Sequence, residues 1–184
     1  VDASNLLFTG SWAKRFIEKS KLSGGVSLKY LNSDLAGYKA SVPMMDLGLL
    51  YPFEGGKLQG LSLAATLRNL GPSVKYETES ASLPQQFILG AGYSLLGGNL
   101  VFDVDAIQTK DSGSHMAAGV EYRLFEMLRL RAGYNGKSDF VGNGLTYGMG
   151  LHFHQWNLDY AFVPFGDLGN TNRISVGLRF GKAA

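Results

Sequence analysis

Large apolar residues recur at every second position over most of this chain, which is the period of a β-strand rather than of a helix. Leu61, Leu63, Ala65 and Leu67 alternate with Ser62, Ala64, Thr66 and Arg68. Leu100, Phe102, Val104 and Ala106 alternate with Val101, Asp103, Asp105 and Ile107. The same pattern runs through 116–124, 128–134, 145–153, 156–162 and 174–180, and more weakly near 5–17, 24–32, 43–53 and 86–96. It predicts about eleven strands of roughly 9 to 12 residues, longer than the usual globular strand and suited to a tilted crossing of a bilayer.

The connections carry a second signal. Glu18–Lys21, Glu54–Lys57, Gly97–Asn99, Phe125–Met127 and the turn at Gln155 read as short. Between them, Ser33–Val42, Gly71–Gln85, Thr109–Ser114, Asn135–Asn143 and Val163–Asn172 read as longer. Strict short–long alternation is what an up-and-down outer-membrane barrel requires, with short periplasmic turns and longer outer loops. Gly113-Ser114-His115-Met116 looks like an expression-tag scar, but its place between strands makes it native loop sequence.

The charges decide which medium the apolar side faces. Lys29, Asp46, Arg68, Asp103, Asp105, Glu121, Arg123, Arg129, Arg131, Asp159 and Arg179 all fall on the side opposite the large apolar residues. The apolar side carries Tyr30, Tyr51, Tyr93, Tyr122, Tyr134, Trp156, Tyr160 and Phe180, mostly near strand ends, as an interfacial girdle would. A Lys or Arg at the midplane of a lipid face costs roughly 2 to 4 kcal/mol, so such segregation is the expected pattern. Lys14 is the exception; it shares a face with Trp12 and Phe16 and lies near the strand end, where it can snorkel. Glycines at 90, 92, 119, 133, 148, 150 and 177 leave the charged side thinly covered, unlike a packed soluble core.

Composition then removes several function classes. In 184 residues with Lys+Arg 17 and Asp+Glu 15, a formal net charge of +2 leaves no basic footprint for nucleic acid. Without Cys there is no thiolate catalyst, disulfide framework or Cys-based metal site. No apolar run is long enough for a spanning helix. His152 and His154 read as hydrogen-bonded bystanders rather than a metal half-site. The Leu89–Gly98 stretch lacks the order of a phosphate loop, and no nucleophile elbow is present, so neither an enzyme nor a cofactor is expected. On the charged side, a register with Glu121 opposite Arg131 predicts a lumen ion-pair network of Asp103, Asp105, Glu121, Arg123, Arg129 and Arg131. Mixed signs of this kind stiffen or plug a lumen, whereas a single-sign ring would mark an ion-selective pore.

Several stretches resemble the PorV/PorQ family of outer-membrane proteins, whose barrels are similar to the 14-stranded FadL-type fold. They are Arg68-Asn69-Leu70-Gly71-Pro72, Ser82-Leu83-Pro84, Ala118-Gly119-Val120-Glu121-Tyr122, Arg131-Ala132-Gly133-Tyr134, and Tyr160 through Gly169 running into Asn172-Arg173-Ile174-Ser175. The departures are Asn172, where relatives often have His, and Gly181–Ala184, which extend past the aromatic residue that usually closes the last strand. The resemblance implies a single antiparallel transmembrane β-barrel domain over 1–184, FadL-like, lacking about three N-terminal strands; an odd eleven agrees with that, since bacterial barrels have even counts. It implies a non-enzymatic role in the bacterial outer membrane, in some members as a part of type IX secretion that receives cargo and hands it to partner proteins. Outer-membrane lipid and secretion or surface-assembly proteins are then the partners. The contact loops are expected at Gly71–Gln85 and Val163–Asn172, the latter through Pro164, Phe165, Asp167 and Leu168, and the assembly signal at Gly177 and Phe180 of the last strand. The alternative is FadL-like transport of a small hydrophobic ligand, which needs an apolar passage.

Overall fold

The computed structural model of the chain describes residues 3–16, 21–35, 38–76, 79–136, 144–164 and 169–180. It is all-β. The strands are β1 (Ala3–Arg15), β2 (Ser23–Leu35), β3 (Tyr38–Pro52), β4 (Leu61–Leu70), β5 (Val74–Tyr76), β6 (Glu79–Ala81), β7 (Gln86–Leu95), β8 (Leu100–Thr109), β9 (Gly113–Leu124), β10 (Leu128–Asn135), β11 (Leu145–Phe153), β12 (Trp156–Pro164) and β13 (Asn170–Leu178). Eleven of them form one antiparallel sheet in chain order, from β1 to β4 and then β7 to β13, while β5 and β6 pair only with each other. The eleven apolar–polar runs of the sequence correspond one to one with the eleven strands of that sheet. No pairing joins β1 to β13 among the described residues, so the sheet is open. The described helical pieces are two single 3₁₀ turns, Gly56–Leu58 and Leu96–Gly98, and no helix is long and apolar enough to cross a membrane.

The strict alternation of loop lengths does not hold. The expected long connection Ser33–Val42 is mostly strand: β2 and β3 stay paired out to Leu35↔Tyr38, leaving only residues 36 and 37 between them. Its polar residues pair across the ladder instead of leaving it. Ser41 Oγ donates to Asn32 Oδ1 at 2.6 Å, and Lys39 Nζ stands 3.9 Å from Asp34 Oδ2. Cross-strand polar and opposite-charge pairs of this kind support a hairpin as apolar pairs do. The expected Thr109–Ser114 loop shrinks in the same way, because β9 begins at Gly113 and the Gly113–Met116 stretch is strand rather than loop. Conversely, the turn expected to be short at Glu54–Lys57 extends from Phe53 to Gly60. It closes on Gly60 (φ +92), where an added Cβ would lie 2.6 Å from the Ser94 carbonyl oxygen, a position only glycine fits.

The chain divides into two compact units. The first comprises Val1–Pro52, Ser62–Gly90 and Ile107–Ser114; the second comprises Phe53–Leu61, Ala91–Ala106 and His115–Ala184.

In the first unit the period-2 rule places Trp12, Val26, Leu47 and Leu67 in one cross-strand row, with Lys29 and Asp46 on the opposite side. Trp12, Leu47 and Leu67 are exposed. The one buried apolar cluster among the described residues lies on the charged side instead, where Ala40, Val42, Val74 and Leu83 pack with Leu31 and Met44. Val42, 2% exposed, is its centre. Val74 and Leu83, from the connection expected to be long, thus pack over the end of the β2–β3 hairpin.

In the second unit an uninterrupted row crosses five strands, Tyr122–Leu130–Met149–Tyr160–Ile174, each residue directly opposite the next. All five are exposed. Leu130 (42%), Val104 (44%) and Leu158 (44%) are more open to the surroundings than the side chains of Glu121 (25%) and Arg129 (23%).

Truncating Leu83 to Ala is expected to destabilise the protein by about 2–3 kcal/mol, because a 5%-exposed side chain leaves a cavity. Leu67→Ala, on the exposed row, is expected to cost less than half as much when both are unfolded in detergent and followed by tryptophan fluorescence. Equal losses would mean that segment 71–85 does not hold the hairpin end.

Candidate functional site

The ion pairs of the second unit are built by register. Glu121 stands directly opposite Arg131 across the β9–β10 hairpin, as the parity of the sequence predicts. Arg131 Nε donates to Glu121 Oε2 at 2.7 Å, and Arg131 Nη1 donates to Asp159 Oδ1, also at 2.7 Å. Arg129 Nη1 lies 3.8 Å from Glu121 Oε1. One guanidinium thus holds two carboxylates and ties β9, β10 and β12 together. Charge-assisted bonds of this length are the strong kind, and the fixed fork of Arg suits two acceptors.

Asp159 is two strands from Arg131, and the strand between them makes the contact possible. On β11, Gly148 lies opposite Arg131 and Gly150 opposite Asp159. A Cβ on Gly150 would sit 2.6 Å from Asp159 Oδ1 and 3.4 Å from Arg131 Nη2. Glycine here clears a lane for side chains passing over the backbone. Gly119 does the same on β9, where a Cβ would come within 2.7 Å of an Asp103 carboxylate oxygen. Asp159 was legible as a charge on this side, but its membership of the network was not; the sign that would have found it is the Gly148/Gly150 pair on the intervening strand.

The rest of the expected network stands apart. Arg123 lies opposite Arg129, like charge against like, and among the described residues the Nε atoms of both are out of solvent without a hydrogen-bond partner. Asp103 is exposed and Asp105 half-buried, and no ion pair engages either among the described residues. The six-residue network therefore contracts to Glu121, Arg129 and Arg131 and gains Asp159. Beside it Ala117, Gly119, Gly133, Thr146 and Gly148 line a shallow hollow of about 500 Å³. His152 is on β11 with its Nδ1 unpartnered, but His154 (φ +53) belongs to the following turn, so the two do not share a strand face. Among the described residues no three His, Asp or Glu side chains converge as metal ligands would.

A separate cluster belongs to the first unit. At Met45/Leu47 the β3–β4 register slips, so that Arg68 and Asn69 together oppose Asp46, and Asn69 takes the left-handed conformation (φ +58) that Asn tolerates. The bulge turns the Asn69 backbone N–H onto Asp46 Oδ1 at 2.9 Å. Lys29 Nζ then bridges Asp46 Oδ2 at 2.5 Å and Asn69 Oδ1 at 3.3 Å. Asn69 Nδ2 donates to the Pro84 carbonyl at 3.0 Å, which pins the returning segment. The Lys110 backbone N–H donates to the Gln85 carbonyl, and Ser82 Oγ to Asp111 Oδ2, each at 2.8 Å.

Of the expected contact loop, Pro164 ends β12 opposite Asn170 and is half-buried, so it is strand rather than loop, while Phe165, Asp167 and Leu168 lie outside the described residues. Gly177 is on β13 opposite Asn157. Phe180 lies beyond the end of β13 and is fully open. No protein-family model matches the chain, and no curated protein matches it.

Arg131→Met removes two short bonds and Arg129→Met only one long one. For groups about one-third exposed, the Arg131 change is expected to cost about 1–2 kcal/mol and the Arg129 change under about 0.5 kcal/mol. Gly150→Val should mimic Arg131→Met by forcing Asp159 aside. Urea denaturation of the three variants checks the order, and an Arg129 effect as large as that of Arg131 would contradict it.

Proposed function

We propose that the chain is part of an outer-membrane β-barrel of the PorV/PorQ type, non-enzymatic, which docks secreted cargo or surface-assembly partners through its outer connections. The supporting observation is the exposed five-strand row Tyr122–Leu130–Met149–Tyr160–Ile174 backed, one residue over, by Glu121, Arg131 and Asp159. A medium of low polarity would make the exposed side favourable and the paired side necessary. Tyr134 and Trp156, at strand ends, supply the amphipathic rings that such a medium's boundary selects. A membrane barrel also accounts for strands of nine residues and more on both sides of nearly every turn.

Docking falls to the connections because the strands are committed to lipid and to one another. Segment 71–85 is the weaker candidate of the two originally expected, since Leu83 is buried and Asn69 and Lys110 hold its return. Residues 165–168 carry the docking proposal. The transporter alternative needs an apolar passage, and an ion-paired Glu121–Arg131–Asp159 row is the wrong lining for one.

Two measurements test this reading. Leu130→Arg is expected to lower folding stability in phosphatidylcholine vesicles by roughly 2–4 kcal/mol, while Thr146→Arg on the other side costs far less; comparable losses would sink the membrane placement. Exchanging residues 165–168 of the full-length protein for Gly-Ser should leave membrane insertion intact and abolish cross-linking to cargo in the native host. Undiminished cross-linking would remove the docking role from that connection.

A further inference from the structure

The cation on the apolar side, Lys14, has a neighbour that the barrel reading leaves unexplained. A groove of about 520 Å³ crosses the exposed face of the first unit from β1 to β7, walled by Trp12, Phe16, Leu67 and Phe87. Its floor follows from register. Gly24 lies opposite Lys14, Leu49 opposite Gly24, and Ala65 opposite Leu49, so one cross-strand row runs cation, glycine, leucine, alanine. Ala65 drops the surface below the neighbouring Trp12–Val26–Leu47–Leu67 row, while the Phe16 ring lies where a Gly24 side chain would be and walls that end of the groove. Five strands at about 4.8 Å spacing make the groove roughly 19 Å long, the reach of a long acyl chain. Its lining is almost wholly apolar, yet Lys14, directly opposite the lining residue Gly24 in the ladder, is exposed and without an ion pair among the described residues. A snorkelling ammonium beside an indole is the chemistry that meets a lipid phosphate at the membrane boundary.

Resting on the outer-membrane reading, we propose that this groove seats one acyl chain of an anionic phospholipid, with its phosphate held by Lys14. The β1–β2 connection that Lys14 adjoins belongs, on that reading, to the periplasmic side, where the leaflet is phospholipid. The occupant is therefore a lipid of the inner leaflet rather than a transported solute.

The test places the full-length protein in phosphatidylcholine nanodiscs containing a minority of phosphatidylglycerol and counts the retained lipids by native mass spectrometry. The wild-type protein is expected to keep one phosphatidylglycerol in preference to phosphatidylcholine. Lys14→Gln should lower that preference about fivefold, the effect of one lysine at an anionic surface, and Lys14→Arg should restore it. Ala65→Phe, which fills the floor, should lose the retained lipid of either kind. Retention at the bulk ratio, or a Lys14→Gln protein with unchanged preference, overturns the site. A protein that inserts into the discs but shows no preference refutes the lipid site alone. One that fails to insert refutes the barrel reading and this site with it.

Discussion

A strand turns successive side chains to opposite sides, and the arrangement of this protein depends on that alternation staying in register from one strand to the next. From β9 to β13 it does so without a slip: Leu130 meets Tyr122 and Met149, while Arg131 meets Glu121 and Gly148. A shift of one residue would exchange the two sets and bring ionised groups onto the exposed face. The short β9–β10 turn, with Phe125 and Glu126 both at positive φ, sets that register. The ion pairs agree with it, since Arg131 meets both of its carboxylates there. The polar side therefore reinforces the alignment on which the apolar side relies.

Glycine is the means by which a sheet of alternating sides accommodates long charged side chains. A guanidinium lying across two strands needs its path free of Cβ atoms, and Gly148 and Gly150 occupy that path on β11. The conformational cost of glycine in a strand is set against two charge-assisted bonds. Position 119 shows the same relation, with the Asp103 carboxylate lying over it. The abundance of glycine on the charged side thus reflects side-chain crossing.

Much of the fold was legible because alternation is local: a run such as Leu100–Ile107 needs no distant information to declare itself a strand, and the pairing of Glu121 with Arg131 follows from parity across a short turn. What was not legible depended on partners far along the chain. Asn32, Ser33 and Asp34 have loop composition, and pairing on both sides, with Leu6, Asn5 and Ser4 of β1 and with Ser41, Ala40 and Lys39 of β3, turns the stretch into strand. Leu83 sits between Ser82 and Pro84 with no periodicity around it, and its burial against Val42 is a contact forty residues long. Asp159 joins Arg131 across an intervening strand, a diagonal that pairwise parity cannot supply. In each case a tertiary contact overrode the local signal.

The stretches that carry the resemblance to the secretion family have structural work in this chain. Asn69 forms the bulge that locks Asp46 and Lys29, Gly71 lies where a Cβ would come within 2.5 Å of the Pro43 carbonyl oxygen, and Leu83 fills the buried cluster. Glu121 and Arg131 hold the ion pair, and Gly133 clears Thr146. Residues so constrained define a scaffold, and a scaffold is shared by proteins that dock different partners. Under the docking reading, the residues that select a partner must then lie where neither ladder, cluster nor ion pair dictates the side chain. Segment 71–85 meets that condition poorly, because its Val74 and Leu83 must satisfy the β2–β3 hairpin before the segment can serve anything outside the molecule.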